Sequence, residues 1–450
     1  MSRNDLLFKK QSKILSYNEL LDRIQPYMSE QYRDIMVNAN DNNKTQIMSY
    51  IRQYLTENDI GVENYSFEEL AEKLYDDMSG FSFLTKYINL EVNDVEEINI
   101  NSWDDVKVTF SDGSVKPADG YFYSPKHALN IVRRLLHKSG IILDDASPCV
   151  RGHLNKKIRI TVNGPGIIDD DVGITASIRF VNPKKLGKQD FIKSGTATEE
   201  MLDFLSTLYR FGISMCLAGP TGTGKTTLMS WIMSTIDDDK RLYTVENGTR
   251  EFDLVKRDKK GRVINNVIHT NTRYSDDPKQ SITQQMLLEQ GLTFHPNYLC
   301  LAEMKGSEAY ETQEAARTGH AVISTVHAKS CSKIYDRIID LCSLKGNLSD
   351  ELLSSFVVDA FPITFFIQKM EDNVRRITEI CECQLDENGK RKLNRLYQFH
   401  TLKNEIRNGK TFVDGKFERV GVISSNLQQQ LRNNGIPEKL LQKFIGGDKS

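Results

Sequence analysis

The chain has 450 residues, which is enough for roughly two to four domains with sizeable hydrophobic cores. Its 59 lysines and arginines nearly balance 61 acidic residues, so the overall charge excludes a general attraction to nucleic acid or to an anionic membrane. We therefore do not expect direct nucleic-acid binding.

No apolar run approaches the roughly 20 residues that a bilayer-spanning helix needs, and the polar stretch from Met1 to Lys13 lacks the core of a signal peptide. The seven cysteines, an odd number scattered along the chain, favour reduced thiols over a disulfide framework. These features predict a cytoplasmic protein without a transmembrane segment.

Residues 1–85 are expected to form a helical N-terminal segment. Within it, Ser66-Phe67-Glu68-Glu69 is typical of a capping box at the start of a helix, and the asparagine-rich stretch Asn38–Asn43 predicts a loop. The segment is either a docking module or a set of helices packed against neighbouring structure.

Residues 86–183 are expected to form a small α+β domain. The stretches Glu97–Asn101 and Val106–Phe110 alternate polar and apolar residues with the two-residue period of a strand. Ser124-Pro125 begins a predicted helix, because serine caps helices well and proline suits the first helical position. Two further strands follow around a Gly-Pro-Gly loop.

Residues 184–197 are expected to be a basic linker, and residues 198–383 an α/β domain. In this domain apolar strands alternate with helices, which is typical of a parallel sheet covered on both faces. The predicted parallel strands are Ile213–Ala218, Arg241–Val245, Tyr298–Ala302 and Ala321–Val326.

The end of this domain is expected to be an antiparallel edge, formed by a strand pair at Phe365–Lys369 and Arg375–Cys383. Residues 384–450 are expected to be a C-terminal extension. Its basic cluster Lys390–Lys392 is too short to predict a nucleic-acid contact and is read as a solvated turn.

A phosphate-binding loop follows the first of the parallel strands. The octapeptide from Gly219 to Thr226 fits the P-loop pattern, and a helix can continue from Thr227. Its glycines let backbone N–H groups point inward, while Lys225 would reach the β- and γ-phosphates and the Thr226 hydroxyl would ligate Mg²⁺. The predicted nucleotide-binding residues are Gly219, Pro220, Thr221, Gly222, Thr223, Gly224, Lys225, Thr226 and Thr227.

Carboxylates and histidines follow the same strands. ATP hydrolysis needs a carboxylate that positions the attacking water, and Glu303, at the end of an apolar strand, is the candidate for this role or for a Mg²⁺-linked one. Glu246 and Glu251 are candidates to hold a metal-bound water. His320 and His327 flank the fourth strand, and either one could hydrogen-bond the γ-phosphate.

These motifs together resemble the type II/type IV secretion ATPases, and most closely the CpaF-like branch, which includes Tad-pilus motors. The resemblance covers roughly residues 85–445. It rests on the P-loop, on Leu301–Gly306, on Thr318-Gly319-His320 and on Ser324–Ala328. Further stretches that resemble the family are Asp94–Asn101, Ala176–Phe180 and Arg375–Glu382.

The resemblance implies a RecA-like P-loop domain preceded by a PAS-like α+β domain. It also implies a homohexamer that uses ATP and Mg²⁺ and associates with inner-membrane components of a secretion or pilus machine, on the cytoplasmic face of the membrane. In this family the N-terminal domain supplies arginines to the phosphates. The matching positions here are Arg159 and Arg179, with Arg133 or Arg134 as alternatives.

Several positions depart from the family pattern, and we expect them to alter coupling or to slow turnover. They are Asn247 after Glu246, Ala302 before Glu303, Lys305 in place of an arginine, and Thr293 and His295 in place of arginines. Lysine keeps the charge of arginine but loses its bidentate fork.

The leading hypothesis is a Mg²⁺-ATP-dependent motor of a type IV-class secretion, conjugation or pilus system. A second hypothesis is an assembly adaptor or switch that binds ATP with little hydrolysis. A third hypothesis is a nucleic-acid translocase. The nearly neutral overall charge gives no sign of the basic channel that such a protein would need.

Overall fold

The computed structural model describes residues 13–32, 35, 43–155, 157–180, 185–248, 250–273, 275, 277–346, 348–407 and 409–446. The stretch Asn38–Asn43, predicted as a loop, lies outside the described residues except for Asn43, and Lys184, the first residue of the predicted linker, also lies outside them. The chain divides into two compact units, Met1–Pro183 and Lys184–Ser450.

The first unit begins with helices around their own hydrophobic core. Two of these helices start with reciprocal capping boxes, one of them the predicted box of Ser66 and Glu69, because each serine and glutamate satisfies a backbone N–H of the other. The elements are β1 (Lys13–Leu15), α1 (Tyr17–Gln31), α2 (Lys44–Glu57), β2 (Ile60–Val62), α3 (Phe67–Met78), a 3₁₀ turn (Ser82–Leu84) and α4 (Thr85–Ile88), with β1 and β2 paired in parallel.

A six-stranded antiparallel sheet with one long helix completes the first unit. The apolar residues of this helix share a core with the inward-facing strand residues, so the sheet buries one face under it. The elements are β3 (Val95–Ile100), β4 (Val106–Phe110), β5 (Val115–Pro117), α5 (Pro125–Lys138), β6 (Cys149–Asn155), β7 (Ile158–Asn163) and β8 (Thr175–Phe180). The strand order is β5-β4-β3-β8-β7-β6.

Asp76, on α3, carries a carboxyl group whose pKa is raised to about 6. Burial is the main cause, and the carboxylate of Asp77 adds to it, while the ammonium group of Lys44 opposes it. Because the folded pKa lies above the unfolded value near 4, stability falls as the pH rises from about 4 to about 6. We expect Asp76→Asn to raise the free energy of unfolding by roughly 1–2 kcal/mol at pH 7.5, after allowance for solvent screening.

Urea unfolding at pH 7.5 and pH 4.5 measures this effect. The chain has two tryptophans, so a Trp231→Phe background lets Trp103 report on the first unit alone. The gain should be largest at pH 7.5 and small at pH 4.5. The exposed Asp22→Asn is the control, and a gain of equal size at both pH values would contradict the assignment to Asp76.

The second unit is built on a nine-stranded sheet with the order β11-β10-β12-β13-β9-β14-β15-β16-β17. The strands are β9 (Met215–Ala218), β10 (Arg241–Glu246), β11 (Asn266–Asn271), β12 (Tyr298–Leu301), β13 (Ala321–Val326), β14 (Ile363–Lys369), β15 (Arg375–Leu385), β16 (Arg391–Arg407) and β17 (Lys410–Arg419). The strands from β11 to β14 are parallel, and β15, β16 and β17 continue the sheet antiparallel.

Helices cover both faces of this sheet. Successive strand residues alternate between two cores, since Met215 and Leu217 belong to one and Cys216 and Ala218 to the other. The predicted parallel sheet with two covered faces is therefore present. The helices are α6 (Lys188–Lys193), α7 (Glu199–Arg210), α8 (Lys225–Ser234), α9 (Gln284–Leu292), α10 (Glu308–Arg317), α11 (Cys331–Ser343), α12 (Asp350–Ala360), α13 (Ser425–Asn433) and α14 (Glu438–Ile445), with a 3₁₀ turn at Pro278–Gln280.

The predicted antiparallel strand pair is present as β14 and β15. The prediction that this pair forms the edge of the sheet is wrong. Strand β15 pairs with β16 beyond residue 383, so the sheet continues into the predicted C-terminal extension. The basic cluster is also not a purely solvated turn, because Arg391 starts β16 and forms an ion pair with Asp336. Among the helices of the described residues, none combines the length and apolar character needed to cross a membrane.

Candidate active site

The P-loop connects the buried strand β9 to α8, in the strand–loop–helix context that its sequence predicts. Gly222 and Gly224 have φ angles of +78° and +85°, a left-handed conformation that glycine adopts without strain. Gly219 lies so close to β14 that an added Cβ would sit 2.2 Å from the carbonyl oxygen of Ile367. Two constraints thus require glycine, the curl of the loop and its close approach to the neighbouring strand.

Side chains of the loop hold its curled form. Lys225 Nζ donates hydrogen bonds to the carbonyl oxygens of Gly219 at 2.8 Å and Pro220 at 2.9 Å. The hydroxyl of Thr223, which is buried, donates to the Pro220 carbonyl at 2.9 Å. The side chain expected to bind phosphate therefore lies against the start of the loop, while Thr226 and Thr227 are half-buried in the first turn of α8.

Glu303 and His327 lie next to each other at the carboxyl edge of the sheet. His327 Nε2 is 2.8 Å from Glu303 Oε1, and Lys305 Nζ is 2.9 Å from Glu303 Oε2. The contact with His327 lacks hydrogen-bond geometry, so the buried Oε1 has no hydrogen-bond partner among the described residues. This oxygen can accept a proton or a hydrogen bond from a water.

Strand register brings this pair to the P-loop. Val326, the residue before His327, is paired with Ala218, the residue before the P-loop. The adjoining pair of Leu301 and Ser324 places Glu303 on the same edge. The structure thus brings together the predicted phosphate loop, Glu303 and His327, as expected for the carboxyl ends of parallel strands.

Glu246 lies in a different environment, since its side chain is fully buried. Its Oε1 accepts hydrogen bonds from the Thr244 hydroxyl at 2.9 Å and lies 3.0 Å from His269 Nδ1. Its Oε2 accepts hydrogen bonds from the backbone N–H groups of Glu251 and of Phe252, the latter at 2.9 Å. Both oxygens are occupied by protein groups, which does not favour a metal-bound water at Glu246.

We expect Glu246→Ala to lower the free energy of unfolding by about 3 kcal/mol, because it leaves buried donors without an acceptor. Urea unfolding in a Trp103→Phe background, followed by Trp231 fluorescence, measures the loss. The matched control is Glu289→Ala on the exposed face of α9. A variant as stable as the wild type would show that the hydrogen bonds around Glu246 contribute nothing to the fold.

His320 lies at the opposite edge of the sheet from the P-loop. It precedes β13 while His327 follows it, and at about 3.3 Å per residue the two positions are roughly 20 Å apart. The ring Nδ1 is 3.2 Å from the carbonyl oxygen of Ala315, and the His320 carbonyl accepts a hydrogen bond from Ser214. This corrects the expectation that either histidine could reach a γ-phosphate held by the P-loop of the same chain.

Thr293 and His295 also lie at the amino edge, in the turn between α9 and the start of β12. The hydroxyl of Thr293 donates to the Gln290 carbonyl at 2.7 Å, and His295 has a φ of +51°. Ala302 is buried, and Asn247 accepts a hydrogen bond from the Thr272 hydroxyl at 3.0 Å. Of the positions that depart from the family pattern, Lys305 is the one that contacts Glu303.

The candidate arginines belong to the first unit. Arg159 on β7 and Arg179 on β8 are paired across the two strands, so their side chains project from the same face of the sheet. The residues on either side of them point into the core, which places this pair on the face opposite α5. The side chain of the alternative candidate Arg134 donates hydrogen bonds to the carbonyl oxygens of Asp77 and Gly80, within the first unit.

One residue next to the P-loop was not predicted from the sequence. Arg375, the first residue of β15, donates a hydrogen bond from Nε to the Gly222 carbonyl at 3.1 Å. It lies about 150 residues beyond the P-loop in the chain, and β14, which pairs with β9, brings it back. The available signal was an arginine directly after the turn that follows a strongly apolar strand.

The chain is similar to proteins of known family. The family model "Type II/IV secretion system protein" matches residues 161–439. The type IV secretion system protein VirB11 of Brucella suis is 29% identical over 192 residues, which are 40% of this chain and 50% of VirB11. An uncharacterised protein of Methanocaldococcus jannaschii is 32% identical over 149 residues, which are 33% of this chain and 52% of that protein. The chain thus spans about half the length of these curated relatives.

A putative conjugal transfer protein of Mycobacterium tuberculosis is 24% identical over 261 residues, 56% of this chain and 70% of that protein. Among solved structures, the Yersinia pseudotuberculosis ATPase DotB aligns with a TM-score of 0.49 at 13% identity, covering 80% of this chain and 84% of DotB. The Brucella suis VirB11 ATPase aligns with a TM-score of 0.34 at 22% identity, covering 68% of this chain and 98% of VirB11. Since the family model matches more than half of its residues, the chain belongs to the type II/IV secretion system protein family.

Proposed function

We propose that the protein is a Mg²⁺-ATP-hydrolysing motor that works as a homohexamer and powers a type IV-class secretion, conjugation or pilus-assembly machine. The observation that carries the proposal is the buried Oε1 of Glu303, which lies 2.8 Å from His327 Nε2 and has no hydrogen-bond partner among the described residues. Such an oxygen is suited to accept a proton from a water molecule. The names of the relatives, a secretion protein and a putative conjugal transfer protein, support the class of machine.

The proposed division of the chain follows the family resemblance. The unit with the nine-stranded sheet is the RecA-like ATPase domain, and the six-stranded antiparallel sheet is the PAS-like domain, preceded by the helical segment. The CpaF-like branch is our finer assignment within the family. We further propose that the hexamer is cytoplasmic and docks on inner-membrane components of its machine.

In the proposed mechanism, the backbone N–H groups of Gly222 to Lys225 and the positive end of α8 bind the phosphates of ATP. Lys225 adds a charge to the β- and γ-phosphates when its ammonium group turns from the loop carbonyls toward them. The backbone donors are fixed before the substrate arrives, so little reorganisation of the loop opposes the negative charge that develops in the transition state.

Glu303 is the proposed base. Its carboxylate accepts a proton from the attacking water, whose oxygen bonds to the γ-phosphorus while the bond between that phosphorus and the β,γ-bridging oxygen breaks. The products are ADP and inorganic phosphate. Lys305, at 2.9 Å from Oε2, holds the other carboxylate oxygen in place and leaves Oε1 for the water.

The residues present fit a magnesium ion. Thr226 supplies a hydroxyl in the first turn of α8, and the carboxylate of Glu303 would be linked to the ion through a water molecule; Mg²⁺ prefers oxygen ligands and usually keeps several waters. When bound, Mg²⁺ would neutralise charge on the β- and γ-phosphate oxygens. From the resemblance we also propose that Arg159 and Arg179 contribute positive charge to the phosphates, and that Glu251 is a further carboxylate near the metal.

An assembly adaptor with little hydrolysis is the second candidate, because Lys305, which contacts Glu303, keeps the charge of the family's arginine but loses its bidentate fork. Phosphate release from ATP by the purified full-length chain distinguishes the two. A motor releases phosphate continuously with Mg²⁺ and stops when EDTA is added. An adaptor binds ATP under the same conditions and releases no phosphate above the background.

A further inference from the structure

Arg375 lies along the outer side of the P-loop. Its Nε donates to the Gly222 carbonyl at 3.1 Å, and its Cδ is 3.4 Å from the position that a Cβ on Gly224 would occupy. A side chain in place of the hydrogen at Gly224 would therefore meet Arg375. The arginine and the loop are packed against each other, with a guanidinium group at the rim of the phosphate site.

The backbone next to Arg375 is firmly anchored. The following residue, Arg376, is buried and donates to both carboxylate oxygens of Asp372, at 2.9 and 2.6 Å, and to the Val413 carbonyl at 3.3 Å. Successive residues of a strand point to opposite faces, so Arg376 anchors the strand from one side while Arg375 projects toward the loop from the other. The position of Arg375 is thus set by buried contacts, as a preorganised binding residue requires.

The order of the strands determines how a bound nucleotide is oriented in the site. The P-loop strand β9 has β13 on one side and β14 on the other. Glu303 and His327 lie on the β13 side, so the phosphate to be cleaved must face that side. The nucleoside end of the nucleotide then points toward the β14–β15 side, where Arg375 stands.

We propose that Arg375 packs its guanidinium plane against the base and ribose of the bound nucleotide and so determines its preference for a nucleotide over a bare phosphate chain. This inference rests on the proposed ATP-binding function. A planar guanidinium group stacks on aromatic rings, which an ammonium group on a flexible stem does less well. Arg375 therefore contributes to the binding of the nucleoside, and the P-loop binds the phosphates.

Calorimetric titration of Arg375→Ala with ATP, ADP and inorganic tripolyphosphate, each with Mg²⁺, tests the inference. We expect the Kd values for ATP and ADP to rise about 5- to 20-fold, as the loss of one stacked cation predicts. The Kd for tripolyphosphate should change less than twofold, because that ligand has no base. In turnover, the KM for ATP should rise with kcat nearly unchanged.

Two controls accompany this experiment. Lys392→Ala, an exposed lysine on β16, should leave all three Kd values unchanged. Arg375→Lys keeps the charge and the chain length, so it should fold even if the alanine variant does not, and it should show a smaller rise confined to ATP and ADP. Thermal melting confirms that each variant is folded.

Equal weakening of tripolyphosphate and ATP in a folded variant would overturn the inference, because Arg375 would then only shape the loop. Unchanged Kd values for all three ligands would overturn it as well. Failure of the proposed function gives a different result, since the wild-type chain itself would then bind neither ATP nor tripolyphosphate.

Discussion

Replacing Lys225 with alanine is expected to weaken ATP binding by about 10²- to 10³-fold and to abolish measurable hydrolysis, because truncating one partner of a hydrogen-bonded charge pair costs this much. The substitution removes the ammonium group that lies at the start of the P-loop. It also removes two hydrogen bonds to loop carbonyls that help to hold the curl. Isothermal titration with ATP and Mg²⁺ measures the binding.

The matched control for this experiment is Lys240→Ala. Lys240 is an exposed lysine directly before β10, at the amino edge of the same sheet and away from the P-loop. The Lys240→Ala variant should bind ATP as tightly as the wild-type protein does. If Lys225→Ala bound ATP as tightly as the wild type, the P-loop would not be the nucleotide site of this chain.

Glu303→Gln is expected to lower kcat for ATP hydrolysis by about 10²- to 10⁴-fold, the usual contribution of a general base. Glutamine keeps the size and the hydrogen-bonding oxygen of the side chain, but it does not accept a proton from water. ATP binding should stay within a few-fold of the wild type, because the P-loop and Lys225 are unchanged. Steady-state phosphate release and ATP titration of the same preparation measure both quantities.

Glu289→Gln makes the same chemical change at an exposed position of α9 and should leave the rate unchanged. A Glu303→Gln variant that hydrolysed ATP at the wild-type rate would remove Glu303 from the role of base. The variant also separates the two proposed functions in the assembled machine. A motor loses transport with this substitution, whereas an adaptor that acts in its ATP-bound form keeps its function.

Much of the site could be predicted because parallel strands put their carboxyl ends at one edge. A strand of apolar residues that ends in a polar side chain therefore marks this edge, and on this ground the sequence predicted that the P-loop, Glu303 and His327 lie at the same edge, as they do. The same rule also separates the two histidines, since residues before and after a strand lie at opposite edges. The expectation for His320 overlooked this consequence.

The roles of Glu246 and Arg375 depend on contacts that sequence patterns do not carry. Glu246 also ends a parallel strand, but the chain after it folds back so that two backbone N–H groups meet its carboxylate. Arg375 reaches the P-loop through the pairing of β14 with β9 and the return of β15. The contact of Arg375 depends on long-range strand pairing, and the contacts of Glu246 depend on the conformation of the loop after β10; local periodicity determines neither.

The extent of the sheet was underestimated for a similar reason. Exposed and half-buried residues alternate along β17, but its apolar residues do not follow a two-residue period, so the sequence pattern predicts neither the strand nor its partner. The long β16 pairs with β15 at one end and with β17 over most of its length. A tail without an obvious partner in the sequence is therefore part of the central sheet of this unit.

The central claim is that Glu303 and the P-loop form one site that cleaves ATP. It is tested most directly by a rapid-quench, single-turnover measurement in which excess protein and Mg²⁺ are mixed with radiolabelled ATP. The claim predicts that the wild-type chain converts its bound ATP to ADP and phosphate, whereas Glu303→Gln retains bound ATP uncleaved over the same time. Retention of uncleaved ATP by both proteins, or cleavage at the same rate by both, would contradict it.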